Sequence, residues 1–277
     1  MTLFNVELTF EVVLMGVFVL TLLVQLFYFL FFFVRLTFFK SKEGEVTFPP
    51  VTVIIAARNE ERNLVANLPE IFKQDYPEFQ VVVVNDRSWD ETGDVLRAFQ
   101  LKYDNLHVVN IREMENYSHG KKLAVTLGIK GAKYENLLFT DADCRPASDQ
   151  WIKKMVASSN GYQRQKESLI LGYSPYKKKK GMLNKLIRFD TVNIGVQYLS
   201  FALAGIPYMG VGRNMSYRKE LFFSVGGFKS HYHLASGDDD LFVNEVSKKS
   251  DVDIVFEPDA QMVSTPEENF TKWWSQK

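Results

Sequence analysis

The chain opens on an apolar block and then changes period. From Val12 to Val34 there is no charged residue, and "VVLMGVFVLTLLVQLFYFLFFFV" is broken only by Thr21, Gln25 and the Tyr28 hydroxyl. As a helix this run extends about 35 Å, enough to cross a bilayer core of about 30 Å. A secretory signal would carry a basic leader and a shorter apolar core, whereas here Glu7 and Glu11 precede the run and Arg35 follows it. The pattern predicts a transmembrane anchor over residues 1–36. No Lys or Arg lies before the run, while Arg35, Lys40 and Lys42 lie just after it. The positive-inside rule therefore puts the downstream chain in the cytoplasm. The expected location is the cell (inner) membrane, single-pass over this length.

Residues 37–50 read as a linker that Pro49-Pro50 closes before an extended segment. Beyond it, short aliphatic runs alternate with helical periodicity. "VTVIIAA" (51–57), "QVVVV" (80–84), "LHVVNI" (106–111) and "NLLFTDA" (136–142) are continuous rather than alternating, as strands buried on both faces are. Between them, Leu64, Leu68, Ile71 and Phe72, then Val95 and Phe99, then Leu123 and Leu127 fall at helical spacing. Repeated strand–helix–strand units predict an α/β fold with an open, mostly parallel sheet.

Composition narrows the function classes. With 277 residues, 46% hydrophobic and 24% charged, the chain can bury one large domain or two small ones and is not disordered. Its 33 basic and 33 acidic residues cancel, so no nucleic acid is expected as a partner. Cys144 is the single cysteine, which excludes an internal disulfide and a cysteine-based zinc cluster.

Candidate chemistry comes from position. Asp-x-Asp occurs three times, at Asp141/Asp143, Asp238/Asp240 and Asp251/Asp253, where chance alone supplies about one in a chain of this composition. Open parallel sheets bind ligands beyond the carboxyl ends of their strands. The polar clusters that directly follow three of the runs are "RNEE" (58–61), "NDRSWDET" (85–92) and "DADC" (141–144), and they should converge on one crevice. Side chains at i and i+2 of an extended segment point the same way, so Asp141 and Asp143 can face one cation of the Mg2+ or Mn2+ type, which takes oxygen ligands together with substrate phosphates. Asp251/Asp253 opens the strand-like "DVDIVFEP" and reads as a solvated edge; Cys144 reads as a small packed residue.

The ordered motifs "VTVIIAARNEERNL", "VVVVNDRSWDET", "HGKKLAVTLGI", "LLFTDADCRP", "GVGRNMSYRKELFFSVGGF" and "SGDDDLF" resemble, in order and approximate spacing, the inverting family 2 glycosyltransferases of the GT-A fold. The resemblance covers about residues 49–277. It implies a GT-A catalytic domain over 51–260 and a C-terminal interfacial segment over 261–277. It also implies a nucleotide-sugar donor, with a UDP-sugar expected, and a lipid or glycan acceptor. Ala57, Arg58, Glu60 and Asp86 are implied to hold the nucleoside, Lys121 the phosphates and Asp141 the ribose. Asp143 would bind the Mg2+ or Mn2+ that bridges the diphosphate. The same resemblance makes Asp238 the general base and sets Asn214, Asp240, Trp274 and Gln276 on the acceptor side.

Two departures from the family pattern stand out. Asn85-Asp86 replaces the usual Asp-Asp, and Gly237 replaces the Glu before the base. "WWSQK" stops where the family continues Gln-x-x-Arg-Trp and, in many members, further membrane helices, so a shortened C-terminus is expected. Residues 176–212 combine Lys177–Lys180, an amphipathic "MLNKLIRF" and an apolar stretch from Val196, which reads as an acceptor channel or a membrane-facing surface. A processive polysaccharide synthase, a non-catalytic nucleotide-sugar- or lipid-binding membrane protein and a nucleotidyltransferase are the alternatives; the last typically needs a glycine-rich loop that "AARNEERN" lacks.

Overall fold

A computed structural model describes residues 9–40, 48–112, 120–157, 168–232, 234, 237–248 and 250–276. Residues 41–47 of the linker, Lys42 among them, His119 and Ser236 thus lie outside the described residues. The chain divides into two compact units, residues 1–40 and 41–277.

The first unit is one helix, α1 (Phe10–Thr37), long and apolar enough to cross a membrane. Thr9 caps it by accepting from the Val12 amide at 3.4 Å. Within the apolar run the Thr21 hydroxyl donates to the Phe18 carbonyl at 2.8 Å, so this polar group is satisfied inside the helix, as a lipid environment requires. No side chain from Phe10 to Tyr28 is buried.

The second unit is built on a seven-stranded sheet. Strands β1 (Val51–Ala57), β2 (Phe79–Asp86), β3 (Leu106–Ile111) and β4 (Asn136–Asp141) are the four runs read from the sequence, and they pair in parallel in the order β3-β2-β1-β4. The short β5 (Cys144–Pro146) follows, then β6 (Ser168–Gly172), β7 (Met215–Arg218), β8 (Asp251–Val255) and β9 (Met262–Ser264). The sheet continues β4-β7-β6-β8, with β7 antiparallel to both neighbours and β8 parallel to β6. β8 is an edge strand whose Asp251 is exposed, as the solvated-edge reading of that aspartate pair expects. β5 and β9 form a separate two-stranded ribbon, so the fold runs past residue 260.

Helices α2 (Glu61–Phe72), α3 (Thr92–Gln100) and α4 (Lys121–Gly131) are the crossovers. α2 buries Leu64, Leu68 and Ile71 as its spacing predicts. Each such aliphatic side chain contributes about 1.5–3 kcal/mol of burial. In α4 the buried face is Ala124, Val125, Gly128 and Ile129, while Leu123 and Leu127 stay half-buried, contrary to the spacing-based expectation. The cause is close approach: a Cβ at Gly128 would sit 2.7 Å from Ile54 Cγ2 and 3.1 Å from Val84 Cγ2. Small residues let α4 ride directly on β1 and β2, and this seats its N-terminus beside the strand ends.

The remaining helices are α5 (Trp151–Ala157), α6 (Met182–Leu203), α7 (Lys219–Ser224), α8 (Asp240–Val246) and α9 (Phe270–Gln276). α6 takes up the first part of the apolar stretch from Val196. Tyr198, Leu199, Ser200 and Ala202 end a 22-residue helix and are packed inside the protein, because Gly195 lets Tyr173 lie against that helix.

Candidate functional site

The register places the site. Ala56 pairs with Val84 on one side and Asp141 on the other, so β1, β2 and β4 end level with one another. The loops that leave β1 and β2 are then stapled together. The Asn59 amide donates to Ser88 Oγ at 2.9 Å, the Trp89 amide to Asn59 Oδ1 at 3.0 Å and the Glu60 amide to Thr92 Oγ1 at 2.9 Å. Asn59 and Arg87 hold positive φ angles of 57° and 53°, a conformation that costs an ordinary residue strain and that such a staple overcomes. Arg87 turns back to pair with Asp86 Oδ1 at 2.7 Å, and both side chains are nearly buried.

A cleft of about 910 Å3 opens above these ends, at the large end of small-molecule sites. Ala57, Arg58, Glu60, Asp86, Lys121, Asp141 and Asp143 all line it. The seven residues expected on the donor side therefore share one cavity. Arg58 also lies over the exposed Trp89 ring at 5.7 Å.

Lys121 is the electrostatic centre. Gly120 caps α4, and the Lys121 ammonium reaches Asp141 Oδ1 at 2.7 Å and Asp238 Oδ2 at 3.8 Å. Burial pulls the ammonium down, but Asp141 and Asp238 outweigh it and hold it above its ordinary value. Burial likewise pushes Asp141 up, and Lys121 more than reverses this, so Asp141 stays ionised below the usual carboxylate range. Asp238 differs: burial raises it, Lys121 pulls it back, Asp239 raises it again, and the net is upward. Glu60 is also raised, by burial first and then by Asp143 and Asp141, against a hydrogen bond from Asn63.

Asp143 is held from the two-stranded ribbon. Ser264 Oγ on β9 donates to its Oδ2 at 2.8 Å, and the Cys144 thiol lies 3.3 Å from its Oδ1. The β5–β9 ribbon thus fixes this carboxylate. Neither Ser264 nor Arg213, which lines the same cleft, carries a signal in the sequence that singles it out.

The residues expected on the acceptor side lie in different surroundings. Asn214 is fully buried, where Oδ1 accepts from Trp151 Nε1 at 2.9 Å and Nδ2 donates to the Tyr173 and Ala260 carbonyls at 2.8 and 3.0 Å. With its hydrogen-bonding capacity spent on the core, it cannot meet a ligand; Arg213, one position earlier, faces the cavities. Asn214→Ala should cost about 3 kcal/mol or more, since three partners lose their bonds, and lower the melting temperature in detergent by about 6–10 °C. A loss of acceptor affinity at unchanged stability would contradict this placement. Trp274 is 67% exposed and stacks on Phe270, whereas Trp273 is buried and lines a second cavity with Asp240. The Gln276 side chain lies outside the described residues, at the end of α9.

Residues 52–222 match the model of glycosyl transferase family 2. The chain is 34% identical over 117 residues to the glycosyltransferase AglE of Haloferax volcanii, covering 42% of this chain and 37% of that protein. It is 29% identical over 203 residues to the 4,4'-diaponeurosporenoate glycosyltransferase of Staphylococcus aureus, covering 72% and 52%. The chain thus spans about half or less of the length of these curated relatives. Among solved structures, the mannosyltransferase PcManGT from Pyrobaculum calidifontis in complex with GDP-Man and Mn2+ aligns with a TM-score of 0.68 at 22% identity, over 90% of this chain and 66% of that one. S. aureus TarS 1-349 in complex with UDP-GlcNAc aligns with a TM-score of 0.57 at 21% identity, over 80% and 60%. At these identities the likeness is one of fold, and the fold is GT-A.

Proposed function

Because the chain belongs to glycosyl transferase family 2, we propose that it is a membrane-anchored, inverting glycosyltransferase that moves a sugar from a nucleotide donor to a hydroxyl of a lipid or glycan acceptor. The observation that carries the reading is Lys121, whose ammonium joins Asp141 at the strand ends to Asp238 on the turn before α8. A donor-side carboxylate and a base candidate therefore face one another across a single cation. The Asp86 and Glu60 carboxylates can accept from base or ribose hydroxyls of the donor, and Lys121 and Arg213 bring positive charge to the wall where a diphosphate would lie.

Asp143 suits a hard divalent cation: a carboxylate braced by Ser264, in a cleft with room for phosphate oxygens, matches how Mg2+ or Mn2+ binds through one or two carboxylates plus substrate. When bound, such a cation would act as a Lewis acid on the departing diphosphate. Asp238 takes the proton from the acceptor hydroxyl, whose oxygen attacks the anomeric carbon as the diphosphate leaves from the opposite face. One displacement inverts that centre. Raised affinity for a proton is what a base working near neutral pH requires.

Membrane anchoring rests on α1, and the second unit supports it with a face of its own. Met182, Leu186, Phe189 and Val192 are exposed along α6, with Lys178, Lys179, Lys180 and Lys185 beside them. An apolar stripe flanked by lysines suits an anionic membrane surface. The deciding experiment is a screen of UDP- and GDP-sugars with Mn2+ or Mg2+ on the full chain in detergent. Release of nucleoside diphosphate is the expected result; neither release nor binding with any donor would sink the reading.

A further inference from the structure

Among the described residues, two that are not glycine hold a positive φ, and they differ in what they gain from it. Asn59 is of a type that tolerates the left-handed region, and its Oδ1 accepts from the Trp89 amide at 3.0 Å. Arg87, at φ 53°, is not, and a glycine would occupy that conformation freely. Its side chain is nonetheless folded back until only 5% of it is exposed, with Nε donating to Asp86 Oδ1 at 2.7 Å. Arg87 Nη2 is buried as well and has no hydrogen-bond partner among the described residues. A strained backbone and an unmatched donor both cost stability. What they secure is the geometry of Asp86.

Asp86 ends β2 in register with Ile111 of β3 and lines the cleft, whereas Arg87 does not. Sheet pairing fixes the Asp86 backbone, and the Arg87 amide, donating to the Asn85 carbonyl at 3.2 Å, closes the turn behind it. Among the described residues, the bond from Arg87 is the one hydrogen bond to the Asp86 carboxylate, which leaves Oδ2 as its open acceptor. A short charge-assisted bond to one carboxylate oxygen sets where the other points. With its own guanidinium covered, Arg87 cannot serve a phosphate directly.

We propose that Arg87 is a positioning residue: it fixes Asp86 so that Oδ2 stands ready for an N–H or O–H of the donor's nucleoside, and it does not touch the donor itself. The inference deepens the proposed donor site and rests on Asp86 meeting the nucleoside there. A carboxylate fixed before the ligand arrives spares binding the cost of ordering it.

Calorimetric titration of the full chain in detergent, with Mg2+ present, tests it with UDP, GDP and pyrophosphate. Arg87→Gly suits the backbone and frees Asp86. It should weaken whichever of UDP and GDP binds more tightly by about three- to tenfold, the order that pre-ordering one side chain supplies. Pyrophosphate, which carries the charge and no nucleoside, should bind the variant and the wild type alike. In the Asp86→Asn background Arg87→Gly should cost no further affinity, because a residue that acts through another then has nothing to act on. Arg87→Asn, which tolerates the same φ, should give the same pattern and guards against a glycine that loosens the turn. Unchanged UDP and GDP affinity in both variants, an equal loss for pyrophosphate, or the same loss in the Asp86→Asn background would each overturn the proposal. A wild type that binds neither nucleotide would remove it together with the donor site. The expected pattern in a protein that releases no diphosphate from any sugar nucleotide would instead sink the transferase reading and leave Arg87 in its role.

Discussion

Asp238→Asn should slow transfer by about 10²- to 10⁴-fold, the range that a positioned general base supplies, while nucleoside diphosphate still binds. Asparagine keeps the shape of the turn but cannot take a proton. Burial and Asp239 hold the Asp238 carboxyl above its ordinary value despite Lys121. The rate of the wild type should therefore fall as pH drops through that raised value, on a limb displaced upward from where an exposed aspartate would put it. Stability runs the other way. A carboxyl with a raised folded-state pKa binds its proton more tightly in the native protein, so its favourable contribution is complete below about pH 4 and is lost as pH rises through the folded value. At neutral pH Asp238→Asn should consequently melt no lower than the wild type, and higher if the desolvated charge is the dominant cost. Asp240, pushed up to about 6 by burial first and then by Asp239, adds the same sign of dependence between about pH 4 and 6. An inactive variant that is also destabilised would count against the base assignment, because it would mark Asp238 as a structural residue.

Asp143→Asn should raise the Mn2+ or Mg2+ concentration that half-saturates donor binding by at least about 100-fold. Groups that merely support a metal ligand cost about 10–100-fold when removed, and Ser264→Ala, which deletes the 2.8 Å brace on Asp143, belongs in that lower range. Among the described residues no cluster of three or more His, Cys, Asp or Glu converges as a ready-made cage. If the diphosphate supplies the remaining ligands, ion and donor should bind together. Calorimetric titration of UDP with and without the cation reads this directly. Metal-independent donor binding, equal in both variants and the wild type, would remove Asp143 from the role.

The cleft at the strand ends was legible in the sequence for a physical reason. Strands covered on both faces must be continuous aliphatic runs, and β1, β2 and β4 announce themselves so strongly that their carboxyl ends, and with them Glu60, Asp86 and Asp141, can be placed before any coordinates exist. β7, "MSYR", has no such run; it lies between β4 and β6 and carries a serine and an arginine, and only tertiary pairing makes it a strand. Neighbouring side chains were harder still. Arg213 and Asn214 sit in one tight turn, and Trp273 and Trp274 sit one helical step apart, so a motif can name the segment without saying which of the two points at a ligand. The Lys121–Asp238 approach joins residues more than a hundred positions apart and leaves no local trace.

The thiol of Cys144 lies within hydrogen-bonding range of Asp143, yet it is fully buried and burial pushes its pKa up. It therefore stays protonated and closed to electrophiles, since the thiolate is the reactive form. Oxidants and alkylating reagents should pass over a site that holds sulfur beside the Asp143 carboxylate. Because this is the one cysteine in the chain, any thiol introduced on the surface becomes the sole attachment point for a spectroscopic label, with no native cysteine to remove first.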